Sequence, residues 1–158
     1  MDSTPDRDPA HASIPALLRA ARGSYALVIG ARLAAGGFED LPRNGPFVLG
    51  GMANWAGSAS DMTRALGVTK QAASQLIDTL VLRGYLTREV NPRDRRRMTI
   101  DLTDRGRAVA AAVSAAVAEV DARLAQMIST GQMAGLRAGL TALAAIRDEA
   151  EEPKPAAG

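Results

Sequence analysis

Four arginines stand within five positions, Arg93, Arg95, Arg96 and Arg97, with Asp94 among them. Upstream lies a stretch whose polar residues recur at helical spacing: Thr69, Lys70, Gln71, Ser74, Gln75 and Asp78. Neither group has the make-up of a bond-making centre, and both suit recognition of a polyanion. Clustered guanidinium groups repel one another unless a negative partner or an internal carboxylate neutralises them, and Asp94 is placed to pair with one. Gln bonds adenine in bidentate fashion, Ser adapts to several base edges, and Lys reaches guanine or phosphate. Two plainer readings fit the same residues: a solvated turn, and an amphipathic helix whose polar face meets only water.

These side chains need elements to hold them. The spacing predicts a helix from Thr69 to Arg83, capped by Thr69, with Val68, Ala73, Leu76, Ile77 and Leu80 on the opposite, apolar face. A shorter helical pattern, Ser60 to Leu66, precedes it, and Gly67 supplies the turn between them. Such a pair is a helix-turn-helix, whose second helix packs on a core while presenting side chains to a major groove. After Gly84 the pattern changes to period two. Leu86, Arg88 and Val90 alternate with Thr87 and Glu89, and Met98, Ile100 and Leu102 alternate with Thr99 and Asp101. This is a hairpin, and Asn91-Pro92 begins its basic tip. From Arg83 to Arg107 there are eight Arg against four acids, a local excess of four positive charges in a chain whose formal charge is only +2. Affinity for nucleic acid must therefore come from a patch.

The run from Leu66-Gly67-Val68-Thr69 through Leu80, then Arg83-Gly84-Tyr85-Leu86, Asn91-Pro92-Arg93-Asp94-Arg95-Arg96 and Leu102-Thr103-Asp104-Arg105-Gly106 resembles the MarR family of winged helix-turn-helix transcription regulators. The resemblance covers about a third of the chain; the order and spacing of the motifs make it specific. It implies a mainly α fold with a small β-hairpin wing, a winged helix-turn-helix lobe flanked by N- and C-terminal dimerisation helices. It also implies a homodimer that binds a pseudo-palindromic double-stranded operator, with recognition helices in major grooves and wings over minor grooves. Carried onto this sequence, Gln71, Ser74 and Gln75 match DNA-facing positions. Asp94 and Arg96 match the family's wing pair, Arg96 being the minor-groove arginine, with Arg95 beside it on phosphate. Asn91 stands where the family's wing usually begins with Asp, and Asn favours the same turn.

The rest of the chain reads as the means of holding and pairing this unit. Its 158 residues, 47% hydrophobic, suffice for one compact domain. Aromatics are only 3%, so alanine and branched aliphatics must fill the core, which favours closely packed helices. We expect a disordered tail over 1–12 and a single domain over 13–152, followed by a second tail over 153–158. Within the domain, 13–45 is read as a dimerisation helix and loop, 46–102 as the lobe, and 103–152 as further dimerisation helices. Ile14, Leu17, Leu18, Ala21, Tyr25, Val28, Ile29 and Leu33 mark the first helix, and Gly36-Gly37 ends it. Pro46 opens a short helix to about Trp55, in which Gly50-Gly51 signals either close packing or weakness. Thr103 caps a helix to about Ile128 along Val109, Val113, Val117, Val120, Leu124 and Met127; Met133, Leu136, Leu140, Leu143 and Ile146 mark the last. Surplus apolar faces on these helices fit a two-fold dimer, with packing inside a monomeric bundle as the other use.

Cysteine is absent, so disulfides and thiolate chemistry are excluded, and the single histidine, His11, lies in the N-terminal tail. No metal, cofactor or enzymatic activity is expected, and neither signal peptide nor membrane span is read, so the location expected is cytoplasmic. Regulators of the resembled family often bind a small-molecule effector between the lobe and the dimer helices; Tyr25, Ile29, Phe47, Met52 and Trp55 are the candidates to line that crevice, or else they are ordinary core. A different class of function, a winged-helix module whose basic tip binds an acidic protein, fits the charge pattern too.

Overall fold

The computed structural model describes residues 12–54, 69–90 and 98–151. Seven elements follow in order: α1 (Ile14–Ala35), α2 (Gly45–Asn54), α3 (Lys70–Leu82), β1 (Leu86–Val90), β2 (Met98–Leu102), α4 (Asp104–Met127) and α5 (Thr130–Glu151). This is the mainly helical fold with one hairpin that the periodicities predict. The expected first helix of the helix-turn-helix, the hairpin tip and both tails lie outside the described residues.

The chain divides into two compact units, Met1–Val120 and Asp121–Gly158. In the first, the core is built from Ile29 and Leu33 of α1, Val48 and Leu49 of α2, Ile77 and Leu80 of α3, Tyr85, Leu86, Leu102, and Val109, Ala110, Val113 and Ala116 of α4. Burial of these side chains is the main force holding the unit together. The sequence reading gave 103–152 to dimerisation, yet the first half of α4 is core of this unit. Alanine and glycine there explain how. Gly50 of α2 lies so close to α4 that a Cβ at that position would stand 2.9 Å from Val113 Cγ1. Close packing, not helix weakness, is what that glycine serves.

Hairpin register is fixed by one buried end. Leu86 pairs with Leu102, Arg88 with Ile100 and Val90 with Met98 in an antiparallel ladder, so the inward residues Leu86 and Leu102 anchor the end nearest the helices. Gly84, with φ of +71°, makes the sharp exit from α3 that brings the chain into β1. Thr103 joins the two ends of the hairpin to α4. Its amide donates to the Tyr85 carbonyl at 3.1 Å, its hydroxyl lies 2.7 Å from the Gly84 carbonyl, and the same oxygen accepts the Gly106 amide at 3.1 Å as a cap.

In the second unit α5 opens with a reciprocal capping box. The Ser129 hydroxyl accepts the Gln132 amide at 3.3 Å, and the Gln132 side chain accepts the Ser129 amide at 2.9 Å. The predicted last helix thus begins at Thr130, and it runs on to Glu151. Leu136, Leu140, Leu143 and Ile146, the residues that marked it by periodicity, form an exposed apolar stripe.

Among the described glycines the tightest position is Gly106, where an added Cβ would fall 2.1 Å from the Tyr85 carbonyl oxygen. Gly106→Ala is therefore expected to destabilise the protein by about 1–3 kcal/mol as an overpacked site, read as a lower urea midpoint; an unchanged midpoint would mean that α4 and β1 separate without cost.

Candidate nucleic-acid interface

On α3 two faces separate cleanly. Ala73, Ile77 and Leu80 are buried, while Thr69, Lys70, Gln71, Ser74 and Gln75 are all exposed. Thr69 acts as the cap, its hydroxyl accepting the Ala72 amide at 3.2 Å, which fixes where the helix starts and hence the phase of every later side chain. Capping occupies that hydroxyl, so Thr69 serves the face chiefly by setting its start. At roughly 100° per residue, Lys70, Ser74, Gln71 and Gln75 span one arc, opposite the buried stripe. Asp78 and Leu82 fall within the same arc one and two turns on. Leu82 is 87% exposed, an apolar side chain on a polar face that the periodicity did not single out. Asp78 is not free: Arg88 of β1 donates to its carboxylate.

A second set of contacts fixes the end of α3, and sequence reasoning missed it. Tyr85 is fully buried, yet its hydroxyl donates to the carboxylate of Asp40 in the loop after α1. Arg105 of α4 donates to the same carboxylate at 3.0 Å and to the Arg83 carbonyl at 2.8 Å, with its guanidinium over the Tyr85 ring, 4.3 Å from the centroid. Arg83 in turn donates to the Asp40 carbonyl. Phe38 leans on the Tyr85 ring with centroids 6.5 Å apart. One carboxylate thus gathers the loop after α1, the exit from α3 and the start of α4. The partners are 45 and 65 positions apart, so no local period announces them.

Electrostatics follow from this arrangement. The Tyr85 hydrogen bond, with Arg105 and Arg83 nearby, holds the Asp40 carboxyl below its ordinary range, and partial desolvation opposes them. Burial, then the bond to Asp40, pushes the Tyr85 hydroxyl up to about 12.

The remaining sequence candidates are placed unevenly. Arg93, Asp94, Arg95, Arg96 and Arg97 lie outside the described residues, in the connection that joins the paired ends Val90 and Met98. Trp55 lies outside them as well. Ile29 is only 4% exposed and belongs to the core, against which Tyr25 and Met52 pack partly buried. Phe47 is 37% exposed, and Arg22 of α1 sits 5.5 Å over its ring. The structure thus places Ile29 inside the core and leaves Phe47 at its edge. Among the described residues there is no group of three or more His, Cys, Asp or Glu able to hold a metal, and no helix long and apolar enough to cross a membrane.

The MarR family model matches residues 48–97, the stretch that holds α3 and β1. That segment is similar to the MarR family. Solved MarR-type structures share the fold across most of the chain. The S. aureus MepR–DNA complex is 21% identical, covering 84% of this chain and 97% of that one, with a TM-score of 0.67. CouR from Rhodococcus jostii RHA1 bound to p-coumaroyl-CoA is 24% identical, covering 84% and 92%, with a TM-score of 0.67. The reduced form of MarR from E. coli is 20% identical, covering 84% and 96%, with a TM-score of 0.60. No curated protein sequence matches the chain. Within this MarR-type frame, α3 occupies the place of the second helix of the helix-turn-helix, and β1 and β2 are the strands of the wing.

The two shifted groups predict a pH dependence of opposite sign at each end. Tyr85 keeps its proton in the folded protein to about 12, so the stability it contributes is present below the unfolded tyrosine range near 10 and is lost as pH rises through about 12. Asp40, lowered in the folded state, contributes stability above the ordinary carboxylate range that is lost as pH falls through its lowered value. Tyr85→Phe is expected to flatten the decline in melting temperature between about pH 10 and 12 and to move the Asp40 titration, followed by NMR, upward. An unmoved Asp40 titration would remove Tyr85 as its main partner.

Proposed function

We propose that this chain is a cytoplasmic, homodimeric MarR-family regulator of transcription, acting as a repressor on a pseudo-palindromic DNA operator and relieved by a small molecule. The observation that carries the reading is the capped helix α3, with Lys70, Gln71, Ser74 and Gln75 exposed along one arc and Ala73, Ile77 and Leu80 buried behind them. That is what a helix needs in order to lie in a major groove with polar side chains at base edges. The family match over 48–97 supports it, as does the fold shared with a relative whose structure contains DNA.

Dimerisation is supported by apolar side chains that stay exposed among the described residues of both units. Ile14, Leu17 and Leu18 of α1 are exposed, as are Leu136, Leu140, Leu143 and Ile146 of α5. A two-fold interface is the simplest cover for such faces. It would set two copies of α3 about one DNA turn apart, roughly 34 to 36 Å. The wing residues Arg93, Asp94, Arg95, Arg96 and Arg97 extend the contact to the flanking minor groove and phosphates, where weakly hydrated guanidinium groups are favoured. Relief by a ligand is supported by the fold shared with a relative bound to p-coumaroyl-CoA; Tyr25, Phe47, Met52 and Trp55 are the side chains assigned to contact the effector here. Ile29, as core, backs them.

Fluorescence anisotropy on the promoter DNA beside the protein's own gene tests the reading. Arg96→Ala is expected to weaken operator binding by about 1–3 kcal/mol, and unchanged affinity would remove the wing assignment. Gln71→Ala or Gln75→Ala is expected to flatten discrimination between operator and scrambled duplex, whereas equal loss on both duplexes would make them backbone contacts. An aromatic or amphipathic effector is expected to quench Trp55 fluorescence and release the DNA; saturable quenching with no release would remove the allosteric part.

A further inference from the structure

Asp78 puts a negative charge on the face of α3 proposed to meet DNA. In helical projection it falls inside the arc that runs from Lys70 to Gln75, one turn beyond Ser74 and two beyond Gln71. A carboxylate there repels phosphates. Its partner is Arg88, on the strand that leads into the wing, whose guanidinium donates to the Asp78 carboxylate. The side chains are 42% exposed for Arg88 and 54% for Asp78. Both are therefore solvated, and an exposed pair of this kind contributes little to stability. The Arg88 side chain makes no other hydrogen bond or ion pair among the described residues.

Resting on the assignment of α3 as a DNA-contact helix, we propose that Asp78 is a positioning residue that holds Arg88 away from the phosphate backbone and so restrains sequence-independent affinity. Paired, the two side chains present no net charge to the duplex. Separated, Arg88 is an extra cation beside the recognition face, able to displace one more condensed counterion from DNA. Base contacts from Gln71 and Gln75 are untouched by the exchange. The pair thus limits the part of the binding that carries no sequence information, which is the part that scatters a regulator over the genome.

The sign of the effect separates this role from a scaffolding one. Asp78→Asn breaks the ion pair but removes the repelling charge. The experiment measures anisotropy on an operator duplex and on a scrambled duplex over a salt series, for the wild type, Asp78→Asn, Arg88→Ala and the double variant, each checked for folding by circular dichroism. Asp78→Asn is expected to bind both duplexes about fivefold more tightly near 0.1 M salt, with the slope of log affinity against log salt steeper by about one. The double variant is expected to lose that gain, because Arg88 supplies it. Weaker binding by a folded Asp78→Asn would overturn the proposal and make the pair a scaffold for α3. A gain retained in the double variant would also overturn it, since simple charge removal would then suffice. A wild-type chain that binds neither duplex at any salt would remove the DNA reading itself, and this proposal with it; binding by the wild type with no tightening in Asp78→Asn removes the proposal alone.

Discussion

A contact with no spare room governs how α3 is presented: α4 passes so close to the Tyr85 carbonyl that only glycine fits at position 106. Such closeness is possible because neither partner carries a Cβ into the gap, and Thr103 then satisfies the carbonyls and amides that meet there. The exit from α3, the first strand of the wing and the first turn of α4 are consequently one rigid knot. The direction of the polar face of α3 and the direction of the hairpin are set together.

Charge reinforces what packing begins. Asp40 draws Tyr85, Arg105 and Arg83 to one loop, and Arg107 donates both to the Leu102 carbonyl and to Asp104. Three of the arginines that looked like free positive charge in the sequence, Arg83, Arg105 and Arg107, thus bind backbone carbonyls or carboxylates, and a fourth, Arg88, is held by Asp78. The other four arginines of that stretch, Arg93, Arg95, Arg96 and Arg97, lie outside the described residues. A count of local charge overstates the basic patch, because structural pairs are drawn from the same residues.

Much of this was legible in the sequence because it is local. The α3 cap at Thr69, the buried stripe of Ala73, Ile77 and Leu80, the exit at Gly84 and the hairpin alternation each follow from a few neighbouring residues, and the helix and strand bounds agree with them closely. What was hidden is long-range. Nothing near Asp40 predicts that it meets Tyr85 and Arg105, and nothing near Gly106 predicts a backbone carbonyl against its Cα. Ile29 is a crevice candidate by sequence, with ordinary core as the other reading, and the structure buries it in the core. Leu82 escaped notice for the converse reason, being an apolar residue that periodicity would hide and the structure exposes. The apolar stripe on α5 reads from its period as surface in need of a partner, and among the described residues it is exposed.

The central claim is that α3 reads base sequence as one half of a two-fold pair. Selection of duplexes from random-sequence DNA by the purified full-length protein, followed by sequencing, tests it most directly. The account predicts enrichment of a pseudo-palindrome with half-sites about one helical turn apart. Recovery of all sequences alike, at any salt concentration where binding is seen, would contradict it and leave the arginine tip as an unspecific anion site.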